Sequence, residues 1–142
     1  MTKKILIVSL LFIFTLNGFA QYNKAVLIEP ILKTDTTSIG QKIIFPASDN
    51  EEVTMLKVTI PPGASTGWHK HDYPVFAYVV KGTLSVDLEK GKTKEFSENA
   101  CFAEVINTYH NGFNKGKENV VLIAIYLGEK GKALSVKKEK DK

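Results

Sequence analysis

Residues 63–82 read Gly-Ala-Ser-Thr-Gly-Trp-His-Lys-His-Asp-Tyr-Pro-Val-Phe-Ala-Tyr-Val-Val-Lys-Gly. In an extended strand successive side chains point to opposite faces, so His69 and His71 project to one side and Lys70 to the other. Two imidazoles so placed are close enough to share one ion. The chain holds only three histidines, and the third, His110, lies in Tyr109-His110-Asn111-Gly112-Phe113-Asn114, where a second strand can bring it alongside. All three histidines are available to one site.

Around this stretch, β-rich runs recur at short spacing with turn residues between them, the pattern of an all-β barrel or sandwich. Val26–Leu32 is predicted as a first strand broken at Pro30, and Lys42–Phe45 as a second that ends at Pro46. Val53–Ile60 alternates and stops at Pro61-Pro62-Gly63, whose prolines cannot donate to a ladder. Val75–Val80 is apolar on both faces, as in a strand covered on both sides. Thr83–Leu88 and Thr93–Phe96 form a solvent-facing hairpin, Ala100–Ile106 carries Cys101 as a small buried apolar residue, and Asn119–Leu127 closes the fold. Asn99, just before Ala100, is suited to a positive φ.

The N-terminus bounds the domain. Lys3 and Lys4 precede an apolar run from Ile5 to Leu16, and Gly18 and Ala20 close it. That is the pattern of a secretory signal peptide over residues 1–20, cleaved before Gln21. A dozen apolar residues fall short of the roughly 20 that span a bilayer. The expected location is therefore periplasmic or secreted, with no membrane association after cleavage. Residues 21–128 form one domain, and 129–142 a Lys-rich tail that is expected to be solvated.

The formal net charge of +4 resides at the chain ends, since residues 22–128 carry 11 Lys against 12 acids. No arginine is present to fork onto phosphate or carboxylate, and nucleic acid is excluded as a partner. A single cysteine cannot form an internal disulfide, so the exported domain must be held by its sheet core.

These residues carry a resemblance. Gly63, five residues, His69-x-His71 and a closing Gly82, with His110 and Asn114 four residues apart, resemble the two motifs of the cupin superfamily, small single-domain type, related to quercetin dioxygenase. That resemblance implies a double-stranded β-helix or jelly-roll barrel with a metal held by His69, His71 and His110. The ion would be iron, copper, nickel, manganese or zinc. The first cupin motif also carries a glutamate, and Val75 stands in its place; the Pro-x-Gly element of the second motif is not recognisable. Three neutral imidazoles would leave a divalent ion's charge at +2, favouring an anionic ligand and lowering the pKa of bound water. Three-histidine cupins include dioxygenases, so the missing glutamate does not abolish a site.

Candidates for proton transfer are few. Glu104 shares a face with Phe102 and Ile106 by alternation, and two readings stand: a buried acid, base or replacement fourth ligand, or a rim residue where the strand bends near Asn107. Tyr73, Tyr78 and Tyr109 offer phenols near the histidines. Trp68 and Phe76 are expected to face away from the ligands, and Lys70 and Asp72 to be surface charges. The functional expectation is an exported metal-dependent enzyme of dioxygenase or isomerase type acting on a small oxygenated molecule. The competing one is a non-catalytic module that binds a small ligand or a metal. The two-sided apolar Val75–Val80 strand points to a homodimer.

Overall fold

The computed structural model describes residues 25–139; the predicted signal peptide falls outside them. Among the described residues nine strands form two antiparallel sheets. They are β1 (Glu51–Ile60), β2 (His69–Lys70), β3 (Val75–Lys81), β4 (Thr83–Leu88), β5 (Thr93–Ser97), β6 (Cys101–Ala103), β7 (His110–Phe113), β8 (Val120–Glu129) and β9 (Val136–Lys137). One sheet runs β1-β8-β3-β6 and the other β5-β4-β7-β2-β9. Apart from the β4–β5 hairpin, sequential strands thus alternate between sheets in the jelly-roll manner, and the all-β expectation holds.

The core lies where the inward rows of the two sheets meet. Ile60, Ala77, Val79, Phe102, Val120 and Leu122 from the first sheet close on Leu84 from the second. Phe96 stacks on Phe102 with centroids 3.6 Å apart. The inward row of β8 is Val120, Leu122, Ala124 and Tyr126: its first half belongs to this core, and its second half reaches the histidines. Replacing Leu122 with Ala would cost about 2–5 kcal/mol, the range for a buried leucine.

Turn chemistry sets the strand ends. Gly82 sits at φ 81° between β3 and β4, and a Cβ there would come within 3.1 Å of the Asn119 carbonyl oxygen, so only glycine fits. Asn99 takes φ 68°, as its position suggested. Asn107 takes φ 49°, which bends the chain after β6 and confines that strand to three residues rather than the seven expected.

Two predicted strands do not form. Val26–Leu32 is irregular and solvent-exposed, and Lys42–Phe45 makes only the isolated bridge from Lys42 to Thr36. Neither meets a neighbouring strand, and an extended segment becomes a strand only when another backbone accepts its hydrogen bonds. Most of the large exposed apolar side chains therefore lie before β2, on the segment preceding β1 and on β1 itself, while β3 exposes Val80 near its end and half-covers Phe76 and Tyr78.

The described part of the Lys-rich end is largely exposed, as expected, yet it is not frayed. It returns as β9 and pairs with β2, Val136 opposite Lys70 and Lys137 opposite His69. Lys138 reaches Glu89 at 2.7 Å and lies over the rings of Tyr109 and Trp68.

Candidate metal centre

The histidines meet because of strand register. His69 on β2 stands directly opposite His110 on β7, a relation that brings cross-strand Cβ atoms to about 5 Å. His71 follows β2 by one residue and faces the same side, and its carbonyl is held by the Asn107 N–H at 2.8 Å. Ring centroids are 4.4 Å apart for His69 and His110, 5.0 Å for His69 and His71, and 5.1 Å for His71 and His110. One ligand nitrogen from each lies within 4.8 Å of the others. His71 and His110 are buried, and His69 is half-buried at the mouth.

Each ring is held from behind by a backbone carbonyl. Nδ1–H of His69 donates to Gly67 O at 2.7 Å, that of His71 to Leu134 O at 2.8 Å and that of His110 to Thr108 O at 3.0 Å. A carbonyl only accepts, so all three Nδ1 atoms carry a proton, and each Nε2 faces the interior, where it donates when the ring is charged and presents a lone pair when the ring is neutral. This backing fixes tautomer and ring orientation in metal-ligating histidines. The donor set suits a divalent transition metal.

Glu104 joins the cluster. Its Oε2 is 3.2 Å from His110 Nε2 and 3.3 Å from His71 Nε2, with the side chain 14% exposed. The rim reading is thereby set aside, because the bend at Asn107 comes after Glu104 and leaves it pointing inward beside Phe102. Burial alone would raise its carboxyl, yet the hydrogen bonds from His110 and His71 outweigh this and hold it down to about 2. Burial would lower His71, but its contacts with Glu104 prevail and raise it. His69, which lacks that contact, is lowered by burial. Carboxylate and imidazole lone pairs thus converge on one region, which a proton shared with Glu104 satisfies in part and a cation satisfies more fully.

The cluster opens into a cavity of about 50 Å³ walled by Val58, Ile60, Leu84, Val86, Phe102 and Leu122, with Thr66 and Tyr126 as further polar groups. The three tyrosines that the sequence offered near the histidines do not line the cavity. Tyr73 donates to Glu129 at 3.0 Å, Tyr78 donates to Asn99 at 2.9 Å, and Tyr109 lies beneath Lys138. Tyr126 is the one at the site, its ring 5.5 Å from that of His71. Burial, with Glu104 nearby, pushes its phenol up to about 12, so it stays protonated. The signal for it was available in the alternation of β8. Trp68, Phe76 and Lys70 lie off the cavity lining as expected, with Lys70 paired to Asp72 at 3.1 Å. Cys101 is half-buried on β6, its thiol pushed up by burial.

Asn114 proves to be a fastener rather than a site residue. Its Nδ2 donates to Ile60 O at 2.8 Å and Glu118 O at 2.7 Å, and its Oδ1 accepts from Gly116 N at 2.8 Å. It closes the loop after β7 against the end of β1.

The sequence model of a family described as Cupin domain matches residues 56–126, half of the chain. The chain belongs to the cupin family. No curated protein matches it. Among solved structures, this cupin is similar to the DMSP lyase DddQ from Ruegeria pomeroyi DSS-3, with TM-score 0.52, 14% identity, and coverage of 63% of this chain and 44% of that one. It is similar also to the Lactobacillus farciminis oxalate decarboxylase formate complex, with TM-score 0.53, 19% identity, and coverage of 60% and 26%. A third is a cupin 2 domain-containing protein from Halorhodospira halophila, with TM-score 0.53, 15% identity, and coverage of 61% and 58%. The cupin thus spans less than two thirds of each neighbour's length, and the likeness is one of fold.

Proposed function

We propose that this cupin is an exported, metal-dependent enzyme of dioxygenase or isomerase type acting on a small oxygenated molecule. The observation that carries the reading is the convergence of three carbonyl-backed imidazoles on one end of an apolar cavity. His69, His71 and His110 would hold the ion, and its open positions would supply Lewis-acid or redox chemistry to a bound oxygen-bearing group. The protein's part is to orient and to shield. Leu84, Val86, Phe102 and Leu122 keep bulk water from the reacting atoms, and the protonated Tyr126 hydroxyl offers a hydrogen bond to a substrate oxygen. Glu104 is the one carboxylate in the cavity lining and the group placed to accept a proton there.

The size of the cavity narrows the substrate. A space near 50 Å³ is far below the 300–1,000 Å³ of sites for drug-sized ligands, so only a compact molecule, or one small end of a larger one, reaches the histidines. The same observation favours a second reading, a module that binds a metal or small anion without turnover. The formate complex among the structural neighbours makes small carboxylates the first compounds to test.

The deciding experiment is metal analysis of the protein purified without a His tag, beside a triple His69→Ala, His71→Ala, His110→Ala variant. Near-stoichiometric iron, copper, nickel, manganese or zinc in the native protein alone supports the site, and oxygen uptake or substrate loss that stops on chelation supports catalysis. Metal in neither protein after reconstitution would retire the enzyme. Export is tested by N-terminal sequencing of the protein recovered outside the cytoplasm, with Gln21 expected as the first residue.

A further inference from the structure

Sequence places a valine where the first cupin motif carries glutamate, and the fold shows what stands across from it. β3 and β6 pair with Phe76 opposite Ala103 and Ala77 opposite Phe102, and the ladder extends one step further, the Glu104 N–H donating to Val75 O at 2.8 Å. Val75 and Glu104 are therefore cross-strand neighbours, and neighbours on one face point the same way. On its other side Val75 is paired with Tyr126, which also lines the cavity. Residues 104, 75 and 126 form one inward row across three strands, and the carboxylate of that row stands at 104.

Its surroundings call for a cation. The Oε2 atom lies within 3.2 and 3.3 Å of two Nε2 atoms whose partner nitrogens already spend their protons on Thr108 O and Leu134 O. No lysine lines the cavity, and the chain has no arginine, so imidazoles are the cationic partners the wall can offer. An enclosed carboxylate without a cation is costly, whereas one bonded to an ion is not.

We propose that Glu104 is a fourth ligand of the ion held by His69, His71 and His110, supplied from β6 in place of a carboxylate on β3. The inference rests on the metal-binding reading above. It makes the centre a three-imidazole, one-carboxylate site with a residual charge of +1 on a divalent ion, and it means that positions 75 and 104 are alternative anchor points for one ligand.

The test uses Co²⁺ alone, titrated into the metal-free full chain against a competing chelator, with visible absorption reporting coordination. Glu104→Gln, close in shape to the original, is expected to weaken Co²⁺ binding by about 100-fold or more, since loss of outer-shell partners alone costs about 10–100-fold, and to change the cobalt bands. Adding Val75→Glu to Glu104→Val is expected to recover most of the affinity. An unchanged cobalt spectrum in Glu104→Gln would overturn the proposal. Infrared difference spectra of the unmutated chain with and without one equivalent of Co²⁺ read the same point should a variant fail to fold: a displaced carboxylate stretch supports ligation, and its absence overturns it. If the unmutated chain takes up no Co²⁺, the three-histidine reading itself has failed. Uptake with an undisturbed carboxylate sinks only the role of Glu104.

Discussion

Glu104 shows how one side chain's environment translates into a measurable dependence on pH. In the metal-free protein its carboxyl is held near 2 against an ordinary 4.5, so the stability it contributes is complete above pH 4.5 and lost as pH falls toward 2. His71 is raised above its ordinary 6.5, so its contribution is complete below pH 6.5 and lost as pH rises through the higher value. Both gains come from the same contact. Metal-free native protein should therefore exceed metal-free Glu104→Gln in melting temperature by most between pH 4.5 and 6.5, with the gap closing on either side. A gap that does not vary with pH would refute the linkage. Because His69 is lowered in both proteins by burial, its opposing effect largely cancels in the comparison. Gly82 gives a second test at this scale. Its positive φ and the Asn119 oxygen 3.1 Å from a would-be Cβ make Gly82→Ala doubly unfavourable, and about 2–4 kcal/mol should be lost in urea unfolding. Gly63→Ala, also at positive φ but facing open space, should lose only about 1 kcal/mol.

At the scale of the element, β2 shows how little regular structure a site needs when its neighbours are fixed. It is two residues long, too short to be stable by itself, and is clamped between β7 and β9. The clamp couples the chain's C-terminal segment to the histidines, because Leu134 O receives the His71 Nδ1–H just before β9 begins. Ending the chain after Lys132 should therefore lower metal affinity by about 10–100-fold, the usual cost of removing a partner behind a ligating histidine. Ending it after Glu139 should change nothing, and chelator competition on both truncations distinguishes the two. Basic residues at a chain end read as solvated on charge alone. Val136 and the backbone pairing around it were the part that charge counting passed over.

At the scale of the whole molecule, the β1 edge of the first sheet stands open. β1 is ten residues long and, among the described residues, pairs on one side only, with β8. Val53 and Met55 on it are 62% and 63% exposed, and Leu27 in the unpaired segment before it is 83% exposed. A long apolar edge is an invitation to pair with another chain, and the irregular apolar stretch of a second copy is the partner that this chain itself provides. The protein should elute as a homodimer at micromolar concentration by light scattering, and Val53→Lys with Met55→Lys should shift it to monomer with the metal site intact. A monomeric native protein would refute the expectation.

The comparison of sequence with structure divides along the range of the interactions involved. Local pattern determined the all-β class, most of the strands between Val53 and Leu127, the positive φ at Asn99 and the shared face of His69 and His71, because period-two alternation and turn residues act over a few positions. The grouping of His110 with them was foreseen through motif spacing, and the strand register opposite His69 then explained it. Where Glu104 points, which tyrosine reaches the site, whether residues 26–32 become a strand and where the basic tail lies were decided only by the tertiary structure. Each of those depends on what stands across a ladder or behind a ring, and such partners are tens of residues away along the chain.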